Sequence, residues 1–249
     1  DDVESRGLGD VYKRQVYIPL EFQLFPKKFS LEVYRSILNT DTFTRSLGNT
    51  VYITLVGTVL SIFTTFTFAY GLSKKDIPLH RLFITVVLFG LLFNPGMIPE
   101  YMNIRTLGLL NSFWSLIFSG LISSWNVIIA RNFIQGIPGE LEEAAKIDGC
   151  SYPRIFWEII IKNSKPALMT LVIFTFMNTW NDFLRPLIFI NDQENWTLSM
   201  GLAKFQGTYV TQWNQMMAGA LITMLPILVV YIFAQKYFVQ GIVMSGIKD

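Results

Sequence analysis

Long apolar runs separated by short polar connections set the pattern of this chain of 249 residues. Five runs stand out: Leu47 to Leu72, Leu82 to Pro99, Phe113 to Ala130, Ala167 to Ile190 and Met217 to Phe238. Each is long enough to cross a hydrocarbon core of about 30 Å as helix, which takes roughly 17 to 25 residues. None alternates apolar and polar residues as a membrane barrel strand does, and each exceeds the roughly nine to eleven residues such a strand needs. A helix satisfies its backbone hydrogen bonds within the segment, so lipid favours it. The pattern therefore predicts an all-α, polytopic transmembrane helix bundle with five visible spans.

Composition agrees with lipid as the solvent. The chain is 51% hydrophobic and only 15% charged, with 21 Phe and a mean hydropathy of +0.41; a soluble domain is charged at about a quarter of its positions. The net charge of +2 comes without a basic tract, so nucleic acid is not an expected partner. Cys150 is the single cysteine and His80 the single histidine, which allows no internal disulfide and no metal set. No GxxxxGK[ST] loop, nucleophile elbow or HExxH occurs. No catalytic residue, metal or cofactor is expected, and any ATP energy must enter from another subunit.

The first fifteen residues, DDVESRGLGDVYKRQ, contain no apolar core of a signal peptide. They look like translated adaptor remnants, so residues 1–15 are expected to be non-native, with natural sequence starting near Val16.

Lys and Arg orient the spans. The connections at 73–81, 131–166 and 236–249 hold ten of them, Lys74, Lys75 and Arg131 included, whereas those at 100–112 and 191–216 hold only Arg105 and Lys204. The first set is expected in the cytoplasm. Residues 16–46 then form an extracytoplasmic segment, although Lys27, Lys28, Arg35 and Arg45 argue against that side.

The 131–166 connection carries ten charges, five of each sign. Placing each at mid-bilayer would cost about 2.5 to 3.5 kcal/mol, so the loop must lie in water or against a polar partner. Pro138 suits a first helical turn, and Glu140, Glu142 and Glu143 complement the positive end of a helix dipole. Ala144 and Ala145 favour helix and leave a low face for close approach, while Gly149 is a natural left-handed terminator. Ser151 and Pro153 can start a second helix, Arg154 to Asn163, with Ile155, Phe156, Ile159 and Ile160 at helical spacing. An ordinary solvated loop helix would satisfy this much.

The spacing Glu143-Ala144-Ala145, Asp148-Gly149, Ile159 and Ile161 resembles the EAA loop of ABC importer permeases. NTVYITLVGT, AYGLSKK, RNFIQGIPGELEEAAKIDG, WNDFLRPL and the tail QGIVMSGIKD extend the resemblance from about Val16 to Asp249. The chain is thus similar to the maltose-type, carbohydrate-uptake family of these permeases. Two features depart from the family pattern. Ile161-Lys162 stands where the family has Leu-Pro, leaving the bend to Pro166, and five spans are visible where the family has six, as if the first were missing.

The resemblance implies a multi-pass subunit of the bacterial plasma (inner) membrane, with a permease domain at 47–249 and the EAA loop and C-terminus in the cytoplasm. Its partners would be a second permease subunit, two ATP-binding cassette ATPase subunits and an extracytoplasmic solute-binding protein. The implied function is half of the translocation pathway of an ATP-driven importer for a sugar or oligosaccharide. Glu143, Ala144, Ala145, Asp148 and Gly149 would couple to the ATPase. An ABC permease for another solute class is the nearest alternative, followed by an ion-coupled secondary transporter.

Other polar positions carry two readings each. Thr50, Thr54, Thr58, Ser61 and Thr65 recur every three or four residues, a stripe that can pack against a helix or line a pathway, with packing favoured. Asn181 and Asp182 lie with Arg185 in WNDFLRPL, where an Asp182–Arg185 pair is either a pathway element or a tie within the bundle. Asn94-Pro95-Gly96 should break the second span, and broken spans often border pathways.

Overall fold

The computed structural model describes residues 31–74, 76–205 and 213–246, the side chains of 234 and 236–246 excepted. The expected non-native residues 1–15 and the first half of the 16–46 segment lie outside the described residues. Regular structure among the described residues is helical throughout, as the apolar runs predict.

The helices are α1 (Glu32–Leu38), α2 (Asp41–Ser73), α3 (His80–Leu92), α4 (Met97–Thr106), α5 (Phe113–Ser119) and α6 (Ser124–Gln135). They continue with α7 (Gly139–Ile147), α8 (Tyr152–Asn163), α9 (Lys165–Trp180), α10 (Leu184–Phe189), α11 (Leu198–Ala203) and α12 (Trp213–Gly246). Within α8, Phe156–Ile160 is wound as π-helix.

Two of these are long and apolar enough to cross a membrane alone, α2 and the Trp213–Phe233 part of α12. The remaining apolar runs are broken by local chemistry. The second ends at Leu92, where Asn94-Pro95-Gly96 interrupts it and Gly96 takes a φ of +84° before α4 starts. In the third, α5 and α6 meet at 50° across Gly120 to Ser123. The fourth ends at Trp180 and resumes at Leu184. Counting each bent pair as one span gives up to four. Pro166 lies in the first turn of α9, immediately after an 83° bend from α8, and its missing N–H is tolerated there.

The 33 residues of α2 make it the axis of the bundle. At about 1.5 Å per residue it is roughly 50 Å long, more than the hydrocarbon core is thick. It packs against α5, α6, α9 and α11, while α9 also lies along α12. One core cluster near the C-terminal end of α2 joins Ile62, Phe66 and Ala69 to Ala130, Ile134, Phe156, Ile160 and Leu171. A second, around Ile53, Leu116, Ile117 and Phe189, closes the opposite half. There the 189–196 loop is tied by side-chain amides: Asn49 Nδ2 donates to the carbonyls of Glu194 (2.8 Å) and Trp196 (3.0 Å). Asn111 Oδ1 accepts from the N–H groups of Asn191 (3.2 Å) and Asp192 (3.0 Å).

Outside these clusters the surface is apolar over large areas, with Val86, Phe89 and Leu92 of α3 and Leu225, Val229 and Phe233 of α12 all more than half exposed. Water would not tolerate such contiguous patches on a lone subunit, whereas lipid or a neighbouring membrane subunit does.

Candidate functional site: a polar cleft and a protruding helix

Inside the apolar bundle lies a cleft of about 370 Å³ whose walls are polar. The α2 stripe supplies Thr50, Thr54 and Ser61. Facing it, α9 supplies Thr175, Asn178 and Thr179, continued by Asp182 just past its end, at i, i+3, i+4 and i+7. The α5–α6 break adds Ser119, Gly120 and Ser123, and Asn126 donates from α6 to Thr175 Oγ1 at 3.3 Å. Thr54 is fully buried and its hydroxyl has no partner among the described residues. A hydroxyl buried in that way is expensive unless something polar visits it.

Charge in the cleft is confined to one end. Arg185 Nε donates to Glu100 Oε1 of α4 at 2.9 Å, and its Nη1 lies 3.5 Å from Asp182 Oδ2. Asp182 also accepts from the Arg185 backbone N–H at 3.3 Å, and its carbonyl accepts from Ser199 Oγ at 2.8 Å. The charges pair with one another and stay partly solvated.

The protruding element is α7. It starts after Pro138 and ends in a Schellman turn: the Gly149 N–H donates to the Lys146 carbonyl (3.0 Å) and the Cys150 N–H to the Ala145 carbonyl (2.9 Å). Gly149 reaches the required left-handed conformation with φ +76°. Two faces result. Glu142 and Ala145, one turn apart, are buried against the rest of the chain; Glu143, Ala144, Asp148 and Gly149 are exposed, beside Leu141 and an Ile147 that is 87% exposed. On the following helix Arg154 donates to Glu158 at 3.1 Å, a hydrogen bond that raises the arginine pKa above its ordinary value.

Residues 59–244 match the family model described as binding-protein-dependent transport system inner membrane component. The chain belongs to this family of transporter permeases. The permease is 40% identical over 241 residues to Protein LplC of Bacillus subtilis (strain 168), covering 91% of this chain and 82% of that protein. It is 35% identical over 243 residues to the polygalacturonan/rhamnogalacturonan transport system permease protein YtcP of the same organism, covering 92% and 85%. Among solved structures it is similar to a bacterial ABC transporter involved in the import of the acidic polysaccharide alginate. The TM-score is 0.82 at 26% identity, covering 95% of this chain and 93% of that one. The family is one of transporter permeases, not of enzymes.

The site residues expected of this permease fall into two places. Thr54 and Asp182 line the cleft; Thr58 is buried beside it on α2 without lining it, and Asn181 is exposed, its Nδ2 spent on the Met177 carbonyl at 2.9 Å. The α2 stripe both packs and lines the cleft. Thr50 Oγ1 accepts the Leu198 N–H at 2.7 Å, a packing tie to α11, while Thr50, Thr54 and Ser61 also face the cleft. Of the five positions expected to couple, Ala145 is turned inward, because helical spacing puts it on the face of Glu142. Pro138 sits just before α7 rather than within its first turn.

The breaks that border the cleft are those of the third and fourth runs, through Gly120 and Ser123 in one and Asp182 in the other. Asn94-Pro95-Gly96 breaks the second run as expected, but none of the three lines the cleft; the helix before the break packs on α6 and on the C-terminal end of α2, where Leu72, Val87 and Val127 meet. Sequence reasoning missed Glu100, Asn126 and the α9 stripe. The stripe had a signal, polar residues at helical spacing inside an apolar run; Glu100 and Asn126 had none, since their partners are 85 and 49 residues away.

Proposed function

We propose that this chain is the permease subunit of an ATP-driven ABC importer for a sugar or oligosaccharide, forming half of the translocation pathway. The observation that carries the reading is the polar cleft inside an apolar bundle, lined by hydroxyl and amide groups from α2 and α9. Such groups can exchange hydrogen bonds with a hydroxyl-rich solute, and two helix breaks border the cleft, as broken helices often border transport pathways. A relative named for polygalacturonan/rhamnogalacturonan transport and a similar structure of an alginate importer support the carbohydrate class.

In this reading α2, α3, α5–α6, α9 and α12 are five spans of a six-span domain. The end bearing α7 faces the cytoplasm and the Glu100 end faces outward, toward a solute-binding protein. The exposed face of α7, with Glu143, Ala144, Asp148 and Gly149, seats in a cleft of one ATPase subunit, and a second permease completes the pathway. ATP binding draws the two docking helices together and the bundles rock to expose the cleft outward; hydrolysis resets them.

The test is assembly and contact. Co-expressed with its ATPase and partner permease, the chain should retain the ATPase through purification. In a Cys150→Ser background, Ala144→Cys should crosslink to that ATPase. Labelling of the same cysteine from outside intact cells would refute the orientation and the docking together.

A further inference from the structure

We infer that Glu142, held by Lys74 and Tyr70, is a positioning residue that locks α7 to α2 and so transmits movement of the docking helix to the wall of the cleft. The inference rests on the reading of α7 as the docking helix.

Glu142 is 7% exposed, while its neighbour Glu143 faces solvent. Its Oε2 pairs with Lys74 Nζ and accepts from the Tyr70 hydroxyl at 3.2 Å. Lys74 in turn lies over the Tyr70 ring, 5.0 Å from its centroid. All three groups are therefore mutually engaged, and the carboxylate is both paired and hydrogen-bonded, the condition under which a buried charge is tolerated.

The clamp matters because little else holds α7. Among the described residues no helix lies broadly against it, in contrast to the other helices around α2. Tyr70 reaches the second half of the loop as well, its ring packing 5.6 Å from that of Phe156 in α8. The C-terminal end of α2 is fixed further by Arg131 Nε, which donates to the Leu72 carbonyl at 3.0 Å. Moving α7 away from α2 would strand a desolvated carboxylate, so the two move as one body. From that end α2 runs without a proline to Ser61, Thr54 and Thr50 in the cleft wall. A displacement of the docking helix is delivered to the pathway by a rigid rod, which is the kind of contiguous physical link that coupling between distant sites requires.

The experiment uses the complete transporter, both permeases and the ATPase pair, in proteoliposomes with loaded solute-binding protein. Solute moved per ATP hydrolysed is measured for Glu142→Gln, Lys74→Gln and the exchange pair Glu142→Lys with Lys74→Glu. The single variants should retain the ATPase and hydrolyse ATP, while transport per ATP falls about fivefold or more, the lower end of coupling strengths between sites. The exchange pair should recover part of the ratio. A merely structural role would lower yield and melting temperature but leave the ratio of the assembled complex unchanged, and that unchanged ratio overturns the inference. Failure of the wild-type complex to hold its ATPase would instead sink the docking reading, and this inference with it.

Discussion

Gly149 offers a substitution that acts on backbone conformation and nothing else in this chain. Its φ is +76°, and a methyl group on its Cα would meet no atom within 4 Å. Space is therefore not what excludes other residues; the left-handed conformation is. For an ordinary L-residue that conformation costs about 1–2 kcal/mol, less for Asn, whose side chain bonds locally, and more for a β-branched residue. At about 1.4 kcal/mol per factor of ten, Ala should reduce the population of the formed turn roughly 5- to 30-fold relative to an unwound one. The two Schellman bonds, from the N–H groups of Gly149 and Cys150, would be lost with it, and α7 would no longer be held at its angle to α8. Transport per ATP and ATPase retention, measured in the assembled transporter for Gly149→Asn, Gly149→Ala and Gly149→Val, should fall in that order. Asn is larger than Ala, so an Ala variant that outperforms the Asn variant would show that contact with the partner, not φ, sets the requirement.

Three further outcomes are expected. Thr54→Val removes a buried hydroxyl without a partner, so thermal stability in detergent should hold or rise by up to about 1 kcal/mol, while uptake falls; unchanged uptake would remove Thr54 from the pathway. Arg185→Gln and Glu100→Gln should couple in a double-mutant cycle of thermal unfolding by only about 0.5–1 kcal/mol, because Arg185 is 38% exposed and solvent screens the pair. A coupling near zero would show that the pair does not join α4 to α10. Gly201→Val should cost about 1–3 kcal/mol, since the Cβ position lies 3.2 Å from Ser46 Oγ and 3.3 Å from Ser46 Cβ, and Ser46→Gly should recover part of that loss.

Hydrophobic runs determined that the fold is helical, because lipid leaves a chain few ways to satisfy its backbone and helix is the one that needs no partner strand; they did not show where the runs break, which leaves two helices able to span alone and up to four with the bent pairs. The polar loop was equally legible. Glu143, Ala144, Asp148 and Gly149 lie within seven residues, and helical period with a terminating glycine sorts them locally, down to the positive φ at Gly149.

Tertiary structure decided what has no local signature. Glu142 and Glu143 are adjacent and chemically identical in sequence, yet one is buried on Lys74 and the other faces outward, a difference set by a residue 68 positions away. Arg185 sits three residues from Asp182, but its closer carboxylate is Glu100, brought in by α4. That the α2 stripe walls a cleft was decided by α9 and the α5–α6 break, which stand opposite it. Periodicity states which side chains share a face of one helix, whereas a cleft or a clamp is a relation between faces of several, fixed only when the bundle closes around them.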